Sequence, residues 1–341
     1  MSLPKSNDII TGPRKVLITG ATGFVGANLA RYLVESGHQV SALLRPGYKA
    51  KLADNSNGHD LLQIKERIQS WNSEVDLIEA DLLSADSVKE TILTIKPDWI
   101  FNLAAHGAYS WQSNPLAIVS SNVTALANLL DESSKIGFDA FVNAGSSSEY
   151  GFKDHAPLET EEARPNSLYA VTKMAGTNLC GVIARRNNLS ISTLRLYSVY
   201  GPFEDERRLI PTLIKYGLLG ELPPLVNPYI ARDFIYIDDV CRAFVKAALA
   251  QTKEIGAVYN IGTGVQTTIE GVVQKACKVM SINDTPVWGS MSDRNWDTSI
   301  WIANCEKAMK VLQWQASVDF ENGLQQTVAW TKKTKERALT F

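Results

Sequence analysis

The sequence predicts an α/β fold: a doubly wound parallel sheet followed by a smaller, mostly helical C-terminal lobe. Three observations carry this. Short, nearly continuous apolar runs alternate with helical segments from residue 15 to about residue 198, as βαβ units with strands buried on both faces would read. A glycine-rich turn separates the first run from the first helix. Beyond about residue 198 the alternation gives way to proline-rich loops and then to helices.

"KVLIT" (15–19) is a β-rich run ending at a glycine. "GANLARYLVESG" follows, with Ala27, Leu29, Ala30, Leu33 and Val34 at helical spacing until Gly37 stops the helix. "QVSALL" (39–44) is the second strand. A long insert, "RPGYKAKLADNSNGHD", has no evident purpose and reads as a solvated loop over 46–60. The next helix, "LLQIKERIQSW", sets Leu61, Ile64, Ile68 and Trp71 on one face. "VDLIEADL" (75–82), "WIFNLAA" (99–105), "AFVNAG" (140–145) and "ISTLRLYS" (191–198) are further strands. "YGPFEDERRLIP" and "LPPLVNPYIARDF" are loops, whereas "TIEGVVQKACKVM" and "NCEKAMKVLQW" are helical. The pair Asp238–Asp239 follows a strand and reads as a helix cap.

Charge is nearly balanced, with 34 basic and 36 acidic residues for a formal −2, so neither nucleic acid nor a membrane surface is an expected partner. No signal-peptide core or membrane-span-length apolar run is present. Cys180, Cys241, Cys277 and Cys305 stand singly and read as reduced thiols of a cytoplasmic protein. His38, His59, His106 and His155 lack ligand spacing, so no metal site is expected.

The turn "ITGATGFVG" offers Gly20, Gly23, Phe24, Val25 and Gly26 to a dinucleotide. Its glycines let backbone N–H groups and a helix N-terminus approach a pyrophosphate, as in a Rossmann domain. An acid often closes the second strand to hold a ribose 2′-hydroxyl; here "SALLRPG" has none and places Arg45 in reach. That favours NADP(H), with NAD(H) as the alternative. In "PNSLYAVTKMAG", Tyr169 and Lys173 share one helical face, and the lysine is expected to lower the pKa of the phenol for proton exchange. A serine of "GSSS" can bridge the same substrate oxygen.

With these motifs the chain resembles the extended short-chain dehydrogenase/reductases that act on nucleotide sugars as epimerases, dehydratases or reductases. The resemblance runs from about residue 14 to about 330 through "GATGFVG", "NLAAH", "SNVTALANLL", "GSSSEYG", "PNSLYAVTK", "LRLYSVYGP", "RDFIYIDDV" and "NIGTG". It implies a Rossmann domain over 14–198 with about 231–262, and a nucleotide-sugar lobe over 199–230 and 263–335. It assigns Ser146, Tyr169 and Lys173 to catalysis. Asp81, Leu82, Leu103, Ala104, Ala105, Asn122 and Tyr197 go with the cofactor, together with Tyr169 and Lys173. For the sugar nucleotide the candidates are His106, Ser147, Ser198, Arg232 and Arg294; Ser198 stands where the group usually has asparagine. Arg207 and Arg208 compete for the phosphates or form a salt-bridged loop. Tyr109, Trp111, Trp296 and Trp301 read as packing rather than as a sugar platform. A homodimer is implied, paired through helices near 113–134 and 167–187.

In the group's 4,6-dehydratases a glutamate two places before the tyrosine of "YG" removes the C5 proton. Here Ser148 holds that place and Glu149 comes one later, on the opposite face if the strand continues, so Glu149 reads as a turn or salt-bridge residue. Reductase and 4-epimerase share hydride exchange at C4. The missing acid and Arg45 tilt the expectation to NADPH-dependent reduction of a nucleotide-linked 4-keto-6-deoxyhexose, with an NAD-dependent 4-epimerase second. A catalytically silent dinucleotide-binding protein would have no need of the Ser146–Tyr169–Lys173 set.

Overall fold

The computed structural model describes residues 12–53, 59–71, 74–250, 254–291 and 297–339. Strands β1 (Lys15–Thr19), β2 (Gln39–Leu44), β3 (Val75–Glu79), β4 (Trp99–Asn102), β5 (Ala140–Ser146) and β6 (Ile191–Leu196) are joined by helices. These are α1 (Phe24–Glu35), α2 (Tyr48–Ala53), α3 (His59–Gln69), α4 (Ala85–Ile95), α5 (Pro115–Val119), α6 (Ala125–Ile136) and α7 (Leu168–Asn187). Further on come β7 (Ser198–Tyr200), α8 (Leu209–Gly217), β8 (Ala231–Arg232), β9 (Phe234–Tyr236) and α9 (Ile237–Leu249). The chain closes with β10 (Val258–Ile261), β11 (Thr267–Thr268), α10 (Ile269–Met280), α11 (Glu306–Leu312) and α12 (Phe320–Leu339).

The main sheet has the order β10-β6-β5-β4-β1-β2-β3, and every pairing in it is parallel. Chain direction across the sheet reverses between β1 and β4, so a crevice opens at the carboxyl ends of these strands. Alternation sends Val16 and Ile18 to one apolar layer and Leu17 to the other. The first layer packs on α1 and α9 and continues into α8, α10 and α12; the second packs on α4, α6 and α7. Each fully buried Leu, Ile or Val contributes about 1.5–3 kcal/mol, which explains why these strands read as unbroken apolar runs. Among the described residues no helix is long and apolar enough to cross a membrane.

Several boundaries differ from the reading of the sequence, each for a local reason. β3 stops at Glu79 because Asp81 turns the chain, its carboxylate accepting from Leu83 N at 2.9 Å. β6 ends at Leu196, and the chain shifts to pair β7 with β9 in a separate short ladder. Part of the insert is helical: α2 begins inside it, and Glu79 accepts from Lys49 N at 2.6 Å. Asp239 is not the cap of α9, whose N-cap is Tyr236. Its buried carboxylate instead accepts from Ser317 N, Ser317 Oγ and Val318 N, each at 3.0 Å, and so pins the C-terminal segment.

Candidate active site

The glycine turn joins β1 to α1 at the crevice. Gly20 has φ +67°, and a Cβ there would lie 2.6 Å from Ala104 N; at Gly26 it would lie 2.3 Å from Gly20 O. Only glycine lets the loop after β4 and the start of α1 approach so closely. The N-cap of α1 is Gly23, which makes no side-chain cap, and no acid stands in the first turn. Its N–H groups and dipole therefore suit an anion, and the residues present fit a dinucleotide pyrophosphate. Phe24 and Val25 are half-buried beside it. Beneath, a buried polar ladder crosses three strands: Thr19 Oγ1 donates to Asn102 Oδ1 at 2.6 Å and Asn102 Nδ2 to Asn143 Oδ1 at 2.8 Å.

Arg45 is exposed just past the end of β2. On the neighbouring strand Glu79 stands in register with Leu44. Asp81 is exposed, and its carboxylate is engaged in its own turn, while Leu82 O accepts from Asn128 Nδ2 at 2.9 Å. Leu103, Ala104 and Ala105 line the loop after β4, which leads to His106. Asn122 lies in a single π-helical turn, Ser120–Thr124, between α5 and α6. Its amide is engaged on both sides: Oδ1 accepts from His106 N and Nδ2 donates to His106 O, both at 2.8 Å, and Nδ2 also reaches Thr172 Oγ1 at 2.9 Å. The side chain thus ties the His106 loop to α7. Burial, and then the charge of Arg45, lower the His106 pKa, which places the arginine within electrostatic reach of that loop.

Ser146 ends β5 and caps a short 3₁₀ turn, Ser147–Tyr150, opposite the first turns of α7, where Tyr169 and Lys173 stand. Ser146 Oγ lies 2.7 Å from Ser148 Oγ and also hydrogen-bonds the Tyr169 phenol. Lys173 is buried and donates from Nζ to Ala144 O at 2.6 Å, with its ammonium 5.9 Å from the Tyr169 ring centroid. The expected lowering is outweighed by burial, which pushes the phenol up to about 12 against the Ser146 hydrogen bond. The ammonium points at a backbone carbonyl rather than at the phenol oxygen. Burial brings Lys173 itself down to about 8, opposed by the charge of Glu149.

Glu149 is a salt-bridge residue, but the turn rather than strand alternation makes it so. At the third position of the turn it points inward with no exposed surface. It accepts from Ser146 N at 2.8 Å, Thr177 Oγ1 at 2.9 Å and Arg195 Nε at 2.9 Å. The Arg195 guanidinium also lies 4.4 Å from the Tyr150 ring centroid.

Around the mouth, Tyr109 and Trp111 stack at 4.6 Å with Arg207 3.7 Å above Trp111, so the pair forms an arginine-topped shelf rather than core packing. Arg207 is held by both carboxylate oxygens of Asp205, at 2.8 and 2.6 Å, as a salt-bridged loop requires. Arg232 donates to Asp297 at 2.8 Å and lies over Trp301. Tyr197 is 7% exposed and its ring belongs to the interior. Ser147 is buried, and Ser198 N donates to Asp233 O at 3.0 Å. Arg294 and Trp296 lie outside the described residues. Sequence reading passed over two organising side chains. Arg67 of α3 donates to Thr22 O at 2.8 Å and to Phe203 O at 2.7 Å, clamping the glycine turn to the loop before α8. Asp233, fully buried, accepts from Thr263 N, Thr263 Oγ1, Gly264 N and Ala303 N.

The parallel sheet, the glycine turn and a serine–tyrosine–lysine group at the strand ends define an extended short-chain dehydrogenase/reductase. Comparison makes this narrower: the chain belongs to the NAD dependent epimerase/dehydratase family, which it matches over residues 16–262. It is similar to UDP-glucuronate 4-epimerase 5 of Arabidopsis thaliana, at 28% identity over 96% of this chain and 76% of the relative. It also resembles a trifunctional UDP-glucose 4,6-dehydratase/UDP-4-keto-6-deoxy-D-glucose 3,5-epimerase/UDP-4-keto-L-rhamnose-reductase of that plant, at 26% over 95% of this chain; here it spans only 48% of the relative. Among solved structures it resembles UDP-glucuronic acid 4-epimerase from Bacillus cereus in complex with UDP-glucuronic acid and NAD. That match has a TM-score of 0.81 and 29% identity over 94% of this chain and 99% of the other.

Proposed function

We propose that the protein reduces the C4 keto group of a nucleotide-diphosphate 4-keto-6-deoxyhexose with NADPH. The observation that carries this reading is Arg45, exposed at the end of β2 where an NAD-type site would place an acid, while the carboxylate at that level of β3, Glu79, caps α2. The inward turn of Glu149 argues against dehydration, since no carboxylate of this turn faces the crevice to take a C5 proton.

A dinucleotide held at the glycine turn of Gly20, Gly23 and Gly26 would supply the hydride to C4. Tyr169 donates its proton to the C4 oxygen, and Ser146 holds that oxygen. Lys173, 5.9 Å from the ring centroid, is the cation that steadies the phenolate left behind until solvent reprotonates it. The sugar nucleotide would sit between the Rossmann domain (14–198 with 231–262) and the lobe of 199–230 and 263–335, near His106, Ser147, Ser198 and the arginines of the mouth.

A specific observation favours a second reading, the 4-epimerase: relatives such as those of Arabidopsis and Bacillus are named UDP-glucuronate 4-epimerases. Absorbance at 340 nm separates the two. Stoichiometric loss of NADPH with one member of a panel of nucleotide-linked 4-keto-6-deoxyhexoses is the expected result. No loss with any member, together with interconversion of C4 epimers of a UDP-sugar in the presence of NAD⁺, would replace the first reading by the second.

We also propose that the active form is a homodimer. Leu116, Val119, Leu168, Val171 and Val182 are exposed at 78%, 40%, 39%, 42% and 55% on α5 and α7. An apolar surface of that kind on adjoining helices suits a second copy.

A further inference from the structure

We infer that Glu149 is a positioning residue of the reaction: its buried carboxylate holds Ser146 and the Lys173 turn of α7 in register and stands as the anion behind that turn. The inference rests on the reading of Tyr169 and Lys173 given above.

A carboxylate without exposed surface is stable only when paired and fully hydrogen-bonded, and Glu149 meets both conditions. Its partners are informative. Ser146 N belongs to the serine that faces Tyr169, and Thr177 stands one helical turn beyond Lys173 on α7. Arg195, from β6, neutralises the charge. Gly145 leaves the room for this arrangement: a Cβ there would lie 2.8 Å from Glu149 Oε1 and 2.7 Å from Thr193 Cγ2. A glutamate in this turn therefore touches the strand that carries Ala144 and Ser146, the helix that carries Tyr169 and Lys173, and β6.

The electrostatics point the same way. Lys173 is buried, and its hydrogen bond goes to the neutral carbonyl of Ala144. Among the groups that act on its charge, burial opposes it and Glu149 supports it, while burial keeps the Cys180 thiol, further along α7, neutral. Tyr169 is the titratable neighbour on the same helix face, and Arg195 on β6 is bound to Glu149. From the turn between α5 and α6, Asn122 bonds Thr172 of α7, and neither carries a charge. A buried ion pair serving only stability can often be exchanged for apolar residues without loss. Here that exchange would remove the anion that works against the desolvation of Lys173.

The test reads the lysine directly and needs no substrate. Protein labelled with ¹³C at lysine Cε is titrated by NMR between about pH 6 and 10, with the Lys173 signal assigned from Lys173→Met. Wild type is expected to show Lys173 titrating near pH 8. In Glu149→Gln its midpoint should fall by about one pH unit or more, the usual effect of losing a nearby opposite charge. Glu149→Gln leaves Arg195 buried without its anion, so the double variant Glu149→Gln/Arg195→Met supplies a form with neither charge and should show a smaller fall in the same direction. Thr177→Val, which keeps the carboxylate, should leave the midpoint in place. An unchanged Lys173 midpoint in either folded Glu149 variant overturns the proposal. The midpoint responds whether or not any nucleotide sugar turns over, so failure of the functional reading and failure of this one are told apart.

Discussion

In the proposed reaction Tyr169 and Lys173 divide the proton work in a way that their spacing alone does not show. Burial keeps the phenol protonated up to about 12, so the tyrosine is a ready proton donor across the working range. The lysine sets the alkaline limit. Its pKa is lowered from 10.5 to about 8, so it is cationic below that value and neutral above. The reduction rate should hold up to about pH 8 and decline beyond it, and a Lys173→Met variant should lack that decline; a pH profile of kcat measures both. Tyr169→Phe removes the donated proton and should lower turnover by about 10²–10⁴-fold while NADPH binding, followed by fluorescence, is unaltered. Near-normal turnover in that variant would remove the mechanism. The site was legible at this scale where it depends on residue type and spacing: Gly20, Gly26, Tyr169 and Lys173 were found from short patterns. Glu149, Thr177 and Arg195 are 28 and 46 residues apart in the pairs that matter, and nothing local marks a buried carboxylate as different from a solvated one.

At the scale of elements, α3, the helix after the insert, shows how an element outside the sheet supports a site. Its apolar face was readable from Leu61, Ile64, Ile68 and Trp71, and Trp71 Nε1 donates to Ala27 O at 3.0 Å, fixing α3 against α1. Arg67 was not readable, because in sequence a single arginine among "IKERIQ" looks like any solvated charge. In the fold it is 8% exposed and joins the glycine turn to the loop that follows β7. Arg67→Ala should cost about 2–4 kcal/mol in urea unfolding, since charge-assisted bonds to two carbonyls are lost together. It should also weaken NADPH binding, because the carbonyl of Thr22 belongs to the cofactor turn. Full stability in that variant would show that the two loops hold their places without the clamp. The boundary of β5 gives the complementary lesson. Period-two alternation predicted that Glu149 faces away from the crevice, and it does, but through a 3₁₀ turn begun by the capping box of Ser146 and Glu149.

Across the whole molecule, the parallel doubly wound sheet was legible because buried strands leave long apolar runs. What encloses the crevice was not, because it is made by side chains from separate segments. Glu204, on the loop before α8, is the example with a measurable consequence for the fold as a unit. Its side chain is 7% exposed, its Oε2 has no hydrogen-bond partner, and Arg208 stands 3.7 Å from Oε1. Burial pushes its carboxyl up from 4.5 to about 8, against the pull of Arg208. The folded chain therefore holds a proton that the unfolded chain releases above about 4.5. With the folded pKa raised, this contribution to stability is fully present below pH 4.5 and is lost as pH rises through about 8. Glu204→Gln, which stays neutral, should flatten the decline and leave the variant ~1–3 kcal/mol more stable than wild type at pH 8.5. Urea unfolding at several pH values decides it, and parallel stability curves for the two proteins would place the Glu204 carboxylate in contact with water.

The proposed dimer is tested at this scale. The exposed apolar residues lie on α5, which runs into the turn of Asn122, and on α7, which carries Tyr169 and Lys173. A second copy seated there would stiffen the helices that position the catalytic group. Val171→Glu with Val182→Glu places two charges on that surface, at positions 42% and 55% exposed in the single chain, so the chain itself should fold as before. Light scattering should then show wild type at twice the mass of one chain and the variant at the mass of one. If both proteins scatter as single chains, the apolar face belongs to some other partner and α7 is positioned by its own packing on β5 and β6.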